Sequence, residues 1–166
     1  MINVVLADDH VLVRNGIKAL LEDESGVTVI DEASNGKEAL EVISKNKPNV
    51  LIVDIRMPEM NGIEVVAQVN KNYKDVKTLV LSMHDSEEYV VKSIQAGADG
   101  YLLKGASKKE FLKAVNNVAA GRKYFTGDVS SIIMNNFVNG NVIKEEVTEP
   151  EKKELPTKLT KREKQI

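Results

Sequence analysis

The sequence predicts an α/β protein, a doubly wound, five-stranded parallel sheet with helices on both faces. Three observations carry this. Short aliphatic and β-branched runs recur at residues 2–7, 27–30, 50–53, 78–81 and 100–103. The stretches between them space their apolar residues at helical intervals. The runs themselves are continuously apolar rather than alternating, as strands covered on both faces must be.

The first run, "INVVLA", meets Asp8-Asp9, after which Val13, Ile17, Leu20 and Leu21 outline a helix. Ala39, Leu40 and Ile43 mark the helix after the second run, and Tyr89 and Ile94 the one after the fourth. The fifth unit closes with "SKKEFLKAVNNVAAG", in which Phe111, Leu112, Val115, Val118 and Ala119 make one apolar stripe before Gly121. Beyond Arg122, Val129, Ile132, Ile133 and Phe137 predict one further amphipathic helix. From 144 to 154 eight of eleven residues are charged and Pro150 interrupts, with Pro156 just beyond; such a segment buries no core and reads as a flexible linker. The expected organisation is a domain over 1–122, a linker with one helix over 123–156, and the start of something else over 157–166. There Thr160 and Glu163 have the spacing of a capping box at a helix start.

Composition narrows the classes. At 166 residues the chain holds one ordinary domain and a short appendage. A net charge of -2 argues against whole-chain attraction to nucleic acid or to a membrane surface. The absence of cysteine excludes disulfides and thiolate metal sites. "INVVLA" is too short for a signal sequence, and no apolar stretch reaches the ~20 residues a membrane span needs. A cytoplasmic location is expected.

In open parallel sheets, ligands bind at the carboxyl ends of the strands. Here those ends carry Asp8 and Asp9, Asp54, Ser82 and Lys104. Singly, each has a local explanation: paired aspartates cap turns, a serine bonds to backbone, a lysine is solvated. Asp54 resists one, because a carboxylate directly after "VLIV" is expected to be buried. Together they converge on one sheet edge. Three carboxylates a few ångströms apart repel by roughly 4 kcal/mol per pair at an effective dielectric of ~20, so the cluster calls for a cation. All-oxygen ligation with room for a phosphate oxygen suits Mg²⁺. A cation, Lys104 and a central carboxylate form a device for phosphoryl transfer, with Asp54 as nucleophile.

The stretches "VLADDH", "LIVDIRMPEMNG", "LSMHDSEEYV" and "AGADGYLLKGAS" together resemble the receiver domain of bacterial two-component response regulators over about residues 1–122. The resemblance implies a flavodoxin-like (βα)₅ fold of strand order 2-1-3-4-5, with Asp54 as phospho-acceptor. It implies that Asp9, Asp54 and the backbone carbonyl of Arg56 bind Mg²⁺, with Asp8 assisting through water. It further implies that Lys104 pairs with the phosphate, that Ser82 hydrogen-bonds it, and that Tyr101 turns inward as Ser82 moves. Met83, Arg56 and His84 stand where residues tune dephosphorylation; the bulk of Met83 is expected to hinder the hydrolytic water. Gly105 stands where many receivers have proline, which leaves the geometry of that loop open.

The tail "LTKREKQI" resembles the start of the helix-turn-helix output domain of the NarL/FixJ (LuxR-type) class. The chain is therefore expected to stop inside that domain's first helix, with DNA reached only through the part beyond. The implied partners are a sensor histidine kinase and a phosphorylation-dependent second copy, with no membrane. His10 and His84 are expected to be incidental, one opening a helix and the other in a loop. Two alternatives stand beside this reading: a stand-alone receiver acting by protein contact, and a Mg²⁺-dependent phosphatase with an aspartyl nucleophile. The phosphatase is disfavoured because its usual second aspartate, two residues after the nucleophile, is here Arg56.

Overall fold

The computed structural model describes residues 1–22, 26–83, 87–125 and 127–139. His84, the charged 144–154 segment and the capping-box residues Thr160 and Glu163 lie outside the described residues.

The elements alternate in chain order: β1 (Ile2–Ala7), α1 (Val11–Glu22), β2 (Val27–Ala33), α2 (Gly36–Asn46), β3 (Val50–Asp54), α3 (Gly62–Asn72), β4 (Lys77–Ser82), α4 (Glu87–Ala96), β5 (Gly100–Leu103), α5 (Lys108–Ala119), β6 (Tyr124–Phe125) and α6 (Gly127–Asn139). The strands pair in parallel, in the order β2-β1-β3-β4-β5-β6. The expected order 2-1-3-4-5 is present, with a sixth strand added at its edge. Tyr124 and Phe125 pair with Gly100 and Tyr101, in the stretch the sequence assigns to the linker. Two residues are too few to show a period. The pairing depends on Gly100, where a Cβ would stand 3.0 Å from the Tyr124 carbonyl oxygen.

Alternation along the buried strands divides the core between two faces. Val4, Leu6, Ile52, Leu79, Leu81 and Leu102 point to one face and pack with Ile17 and Leu21 of α1 and Phe111, Ala114, Val115 and Val118 of α5. Val5, Leu51, Val53 and Val80 alternate with them, on the face covered by α2 and α3. Side-chain caps fix where three helices start. Asn35 accepts from the Glu38 N–H, Ser107 from the Glu110 N–H, and Asn61 and Glu64 form a complete capping box.

The chain divides into two units, Met1–Ile132 and Ile133–Ile166. The first carries the whole sheet; the described part of the second is the end of α6. Among the described residues no helix is long and apolar enough to cross a membrane.

Candidate functional site

Parallel register aligns the carboxyl ends of the central strands. Ala7 pairs with Val53, Asp54 with Leu81 and Ser82 with Leu103, so the residues that end or follow β1, β3, β4 and β5 share one edge. Asp8 is 2 % exposed and Asp54 4 % exposed, whereas Asp9 is open to solvent. The Asp8 backbone continues the sheet through its N–H to the Ala33 carbonyl, 3.0 Å, while its Oδ1 accepts from the His10 N–H, 2.8 Å. Arg14 donates to the Asp8 carbonyl and, through Nε at 3.0 Å, to Glu32 Oε1. With Lys18 Nζ 2.9 Å from Glu32 Oε2, α1 is clasped to the strand end that carries Asp8.

Lys104 reaches into this group from the end of β5. Its Nζ lies 2.9 Å from Asp8 Oδ2 and 3.1 Å from Asp54 Oδ1, and its backbone N–H donates to the Ser82 carbonyl at 2.9 Å. Burial opposes the charge on this lysine, but its contacts with Asp8 and Asp54 outweigh burial and hold its pKa above the usual lysine value. For Asp54 the balance runs the other way. Burial, and then the charge of Asp8, raise its pKa above the ordinary aspartate value despite Lys104. The ammonium is thus shared between two carboxylates and fully compensates neither.

The donor set fits a hard divalent cation. Carboxylate oxygens of Asp8, Asp9 and Asp54 and a ring nitrogen of His10 lie within 4.8 Å of one another. Asp8 Oδ2 is buried and faces the Lys104 ammonium at 2.9 Å, the same ammonium that stands 3.1 Å from Asp54 Oδ1. Three carboxylates gathered around a single ammonium leave negative charge that a further cation satisfies.

Other expected residues gather around the same point. A cleft of about 190 Å³ is lined by His10, Asp54, Arg56, Ser82, Met83 and Lys104, together with Ile55 and Tyr89. Ser82 is 5 % exposed and Met83 68 % exposed at its rim, and the Tyr101 side chain is fully buried one strand over. His10 is largely exposed, with its Nδ1 3.2 Å from Asp8 Oδ1 and 3.0 Å from Asp9 Oδ1. Gly62 and Tyr89 were missed as site residues. A Cβ on Gly62 would collide with the Asp54 carbonyl, so this glycine lets α3 start against the backbone of Asp54. Only the fold brings Tyr89 to Arg56, thirty-three residues away.

Comparison with known proteins agrees with this geometry. Residues 4–116 match the response regulator receiver domain. The response regulator UvrY of Escherichia coli is 38% identical over 167 residues, an alignment that covers 100% of this chain and 72% of that protein. The transcriptional regulatory protein DegU of Brevibacillus brevis is 42% identical over 74% of this chain and 52% of its own length. Among solved structures, a LuxR-family response regulator from Aurantimonas sp. SI85-9A1 superposes with a TM-score of 0.78 at 28% identity, covering 83% of this chain and 99% of that one. The receiver domain of the putative regulator NarL from Mycobacterium tuberculosis gives 0.71 at 40% identity, covering 73% and 98%. The matched span contains the parallel sheet of this chain and its acidic edge, and the chain belongs to the response regulator receiver family, within the LuxR/NarL class of two-component transcription regulators.

Proposed function

We propose that Asp54 accepts a phosphoryl group from a sensor histidine kinase and that its phosphorylated form switches an output domain that binds DNA. The observation that carries this reading is the position of Asp54: buried at the end of the central strand, between Asp8 and Lys104, facing an open cleft. In the transfer a carboxylate oxygen of Asp54 bonds to phosphorus as the bond from phosphorus to the donor's imidazole nitrogen breaks, and the electron pair leaves with the imidazole. Lys104 already stands beside the attacking carboxylate and is charged, so it faces the incoming phosphate oxygens with no rearrangement of the strand that carries it. Ser82, one strand away, would hydrogen-bond a phosphate oxygen, and Tyr101 would respond to its movement.

Mg²⁺ would be held by Asp9 and Asp54 with the Arg56 carbonyl, and by Asp8 through water; when bound it neutralises charge on the phosphate oxygens. Met83 and Arg56 border the cleft and would set how long the phosphate survives, together with His84. The protein acts in this reading as a phospho-accepting switch rather than a turnover enzyme, in the cytoplasm, with a phosphorylation-dependent second copy as partner. Its domains would be the receiver over 1–122, a linker over 123–156 and the start of the output domain over 157–166.

The test is intact mass after incubation with Mg²⁺ and acetyl phosphate, for the parent and Asp54→Asn side by side. One added phosphoryl group on the parent alone is expected. Addition to both variants moves the acceptor elsewhere, and addition to neither in folded protein overturns the reading.

A further inference from the structure

Two clefts meet at the acidic edge of the sheet. One, of about 190 Å³, holds Asp54, Ser82 and Lys104; the other, of about 520 Å³, is lined by Asp9, Asn61, Glu64 and Lys92. The residues common to both linings are Ile55, Arg56 and Tyr89, so the Arg56–Tyr89 pair stands where one opens into the other.

Arg56 is exposed, and an unrestrained arginine there would spend its time among many rotamers in water. It is restrained instead. Its guanidinium carbon lies 5.9 Å from the centre of the Tyr89 ring, and its Nη2 donates to Tyr89 Oη at 3.4 Å. Among the described residues no carboxylate pairs with Arg56, whereas nearby Lys92 is paired with Glu88 at 2.8 Å. Arg56 therefore presents a positive charge that no described carboxylate pairs, at the entrance to a cluster in which Asp8, Asp9 and Asp54 outnumber Lys104. A phosphoryl donor is an anion; the cluster alone repels it, and with a divalent cation bound the site is close to neutral and offers it little long-range attraction. A cation fixed at the entrance supplies that attraction and raises the local concentration of the donor.

We propose that Tyr89 is a positioning residue, which fixes the Arg56 guanidinium at the mouth of the Asp54 cleft so that it steers anionic phosphoryl donors inward. The proposal rests on the reading of Asp54 as acceptor. It assigns Tyr89 no contact with the reacting atoms; the residue acts through Arg56.

The test is the initial rate of phosphorylation of the full chain by acetyl phosphate with Mg²⁺, followed by intact mass at low and high salt. Arg56→Ala and Tyr89→Ala are each expected to be slower at low salt by roughly fivefold to tenfold, and to converge with the parent at high salt, where screening removes steering. The double variant is expected to be no slower than either single one, because both changes remove the same placed charge. Tyr89→Phe keeps the ring beneath the guanidinium and is expected to recover most of the lost rate. The proposal is overturned if Tyr89→Ala matches the parent at low salt, if it is equally slow at every salt concentration, or if the two single effects multiply. A parent that gains no phosphoryl group overturns the acceptor reading, and this proposal with it.

Discussion

Lys104 Nζ stands 3.1 Å from Asp54 Oδ1, yet the Asp54 carboxyl is harder to ionise than a free aspartate. The cause is the environment on its other sides, where burial and the charge of Asp8 both disfavour the anion. A site arranged in this way is held under electrostatic tension. Added positive charge relieves it, and so does removal of one carboxylate.

Asp54→Asn is accordingly expected to stabilise the protein in the absence of divalent cations. The sign follows from linkage: a carboxyl whose folded pKa lies above its unfolded value binds more protons when folded, so stability falls as pH rises through that interval. Above it, ionised Asp54 works against the fold. A gain of about 1 kcal/mol, or roughly 3 °C in melting temperature, is expected at neutral pH. The gain should shrink when Mg²⁺ is added. A melting temperature at or below the parent's in metal-free buffer would contradict this account.

Lys104→Met removes the ammonium between two buried carboxylates and is expected to cost about 3 kcal/mol or more, the scale of breaking a buried ion pair from one side. Because the cost is repulsion left behind, Asp54→Asn in the same chain should recover much of it. A double-mutant cycle by urea denaturation reads the coupling, expected to exceed about 1 kcal/mol. Additive effects would mean that the cost of losing the ammonium falls on Asp8, the other carboxylate it contacts.

Away from the site, the clasp between α1 and β2 gives a pH dependence of opposite sign. The Glu32 carboxyl is held below the usual glutamate value by its hydrogen bond from Lys18, with Arg14 assisting against a smaller burial effect. This stability is present above the unfolded pKa of about 4.3 and is lost as pH falls through the lower folded value. Glu32→Gln should melt lower than the parent by roughly 2 °C at neutral pH, on the scale of a partly exposed pair. The two curves should merge once the pH is below the folded pKa of Glu32. A gap that persists into acid would assign the effect to packing.

Most of the fold is legible in the sequence because two-sided burial leaves a strong signature. "VLIV" can be little else than a central strand, and the stripe from Phe111 to Val118 fixes the face that α5 turns to the sheet. The acidic edge was legible for the same reason, since every polar candidate sits at the end of such a run. What escaped depends on contacts between distant segments or on very short elements. Tyr124 and Phe125 join the sheet beside Gly100, which leaves their backbone room. The ring of His10 meets carboxylates that the fold gathers around it, and Tyr89 on α4 meets an arginine from the loop after β3.

Gly62 and Gly16 test how far that close packing governs the site. A Cβ on Gly62 would run into the carbonyl of Asp54, so Gly62→Ala should cost about 1–3 kcal/mol and displace the Asp54 carboxylate. Gly16 lies in the middle of α1, exposed, with no heavy atom within 4 Å of where an added methyl group would stand, so Gly16→Ala should gain roughly 0.5–1 kcal/mol from helix propensity alone. Thermal melts and the acetyl phosphate reaction on both variants separate the two effects. The Gly62 variant should lose stability and phosphorylation together, while the Gly16 variant should melt higher and react as the parent does. If Gly62→Ala kept the parent's phosphorylation rate, the placement of Asp54 would not depend on the close approach of α3.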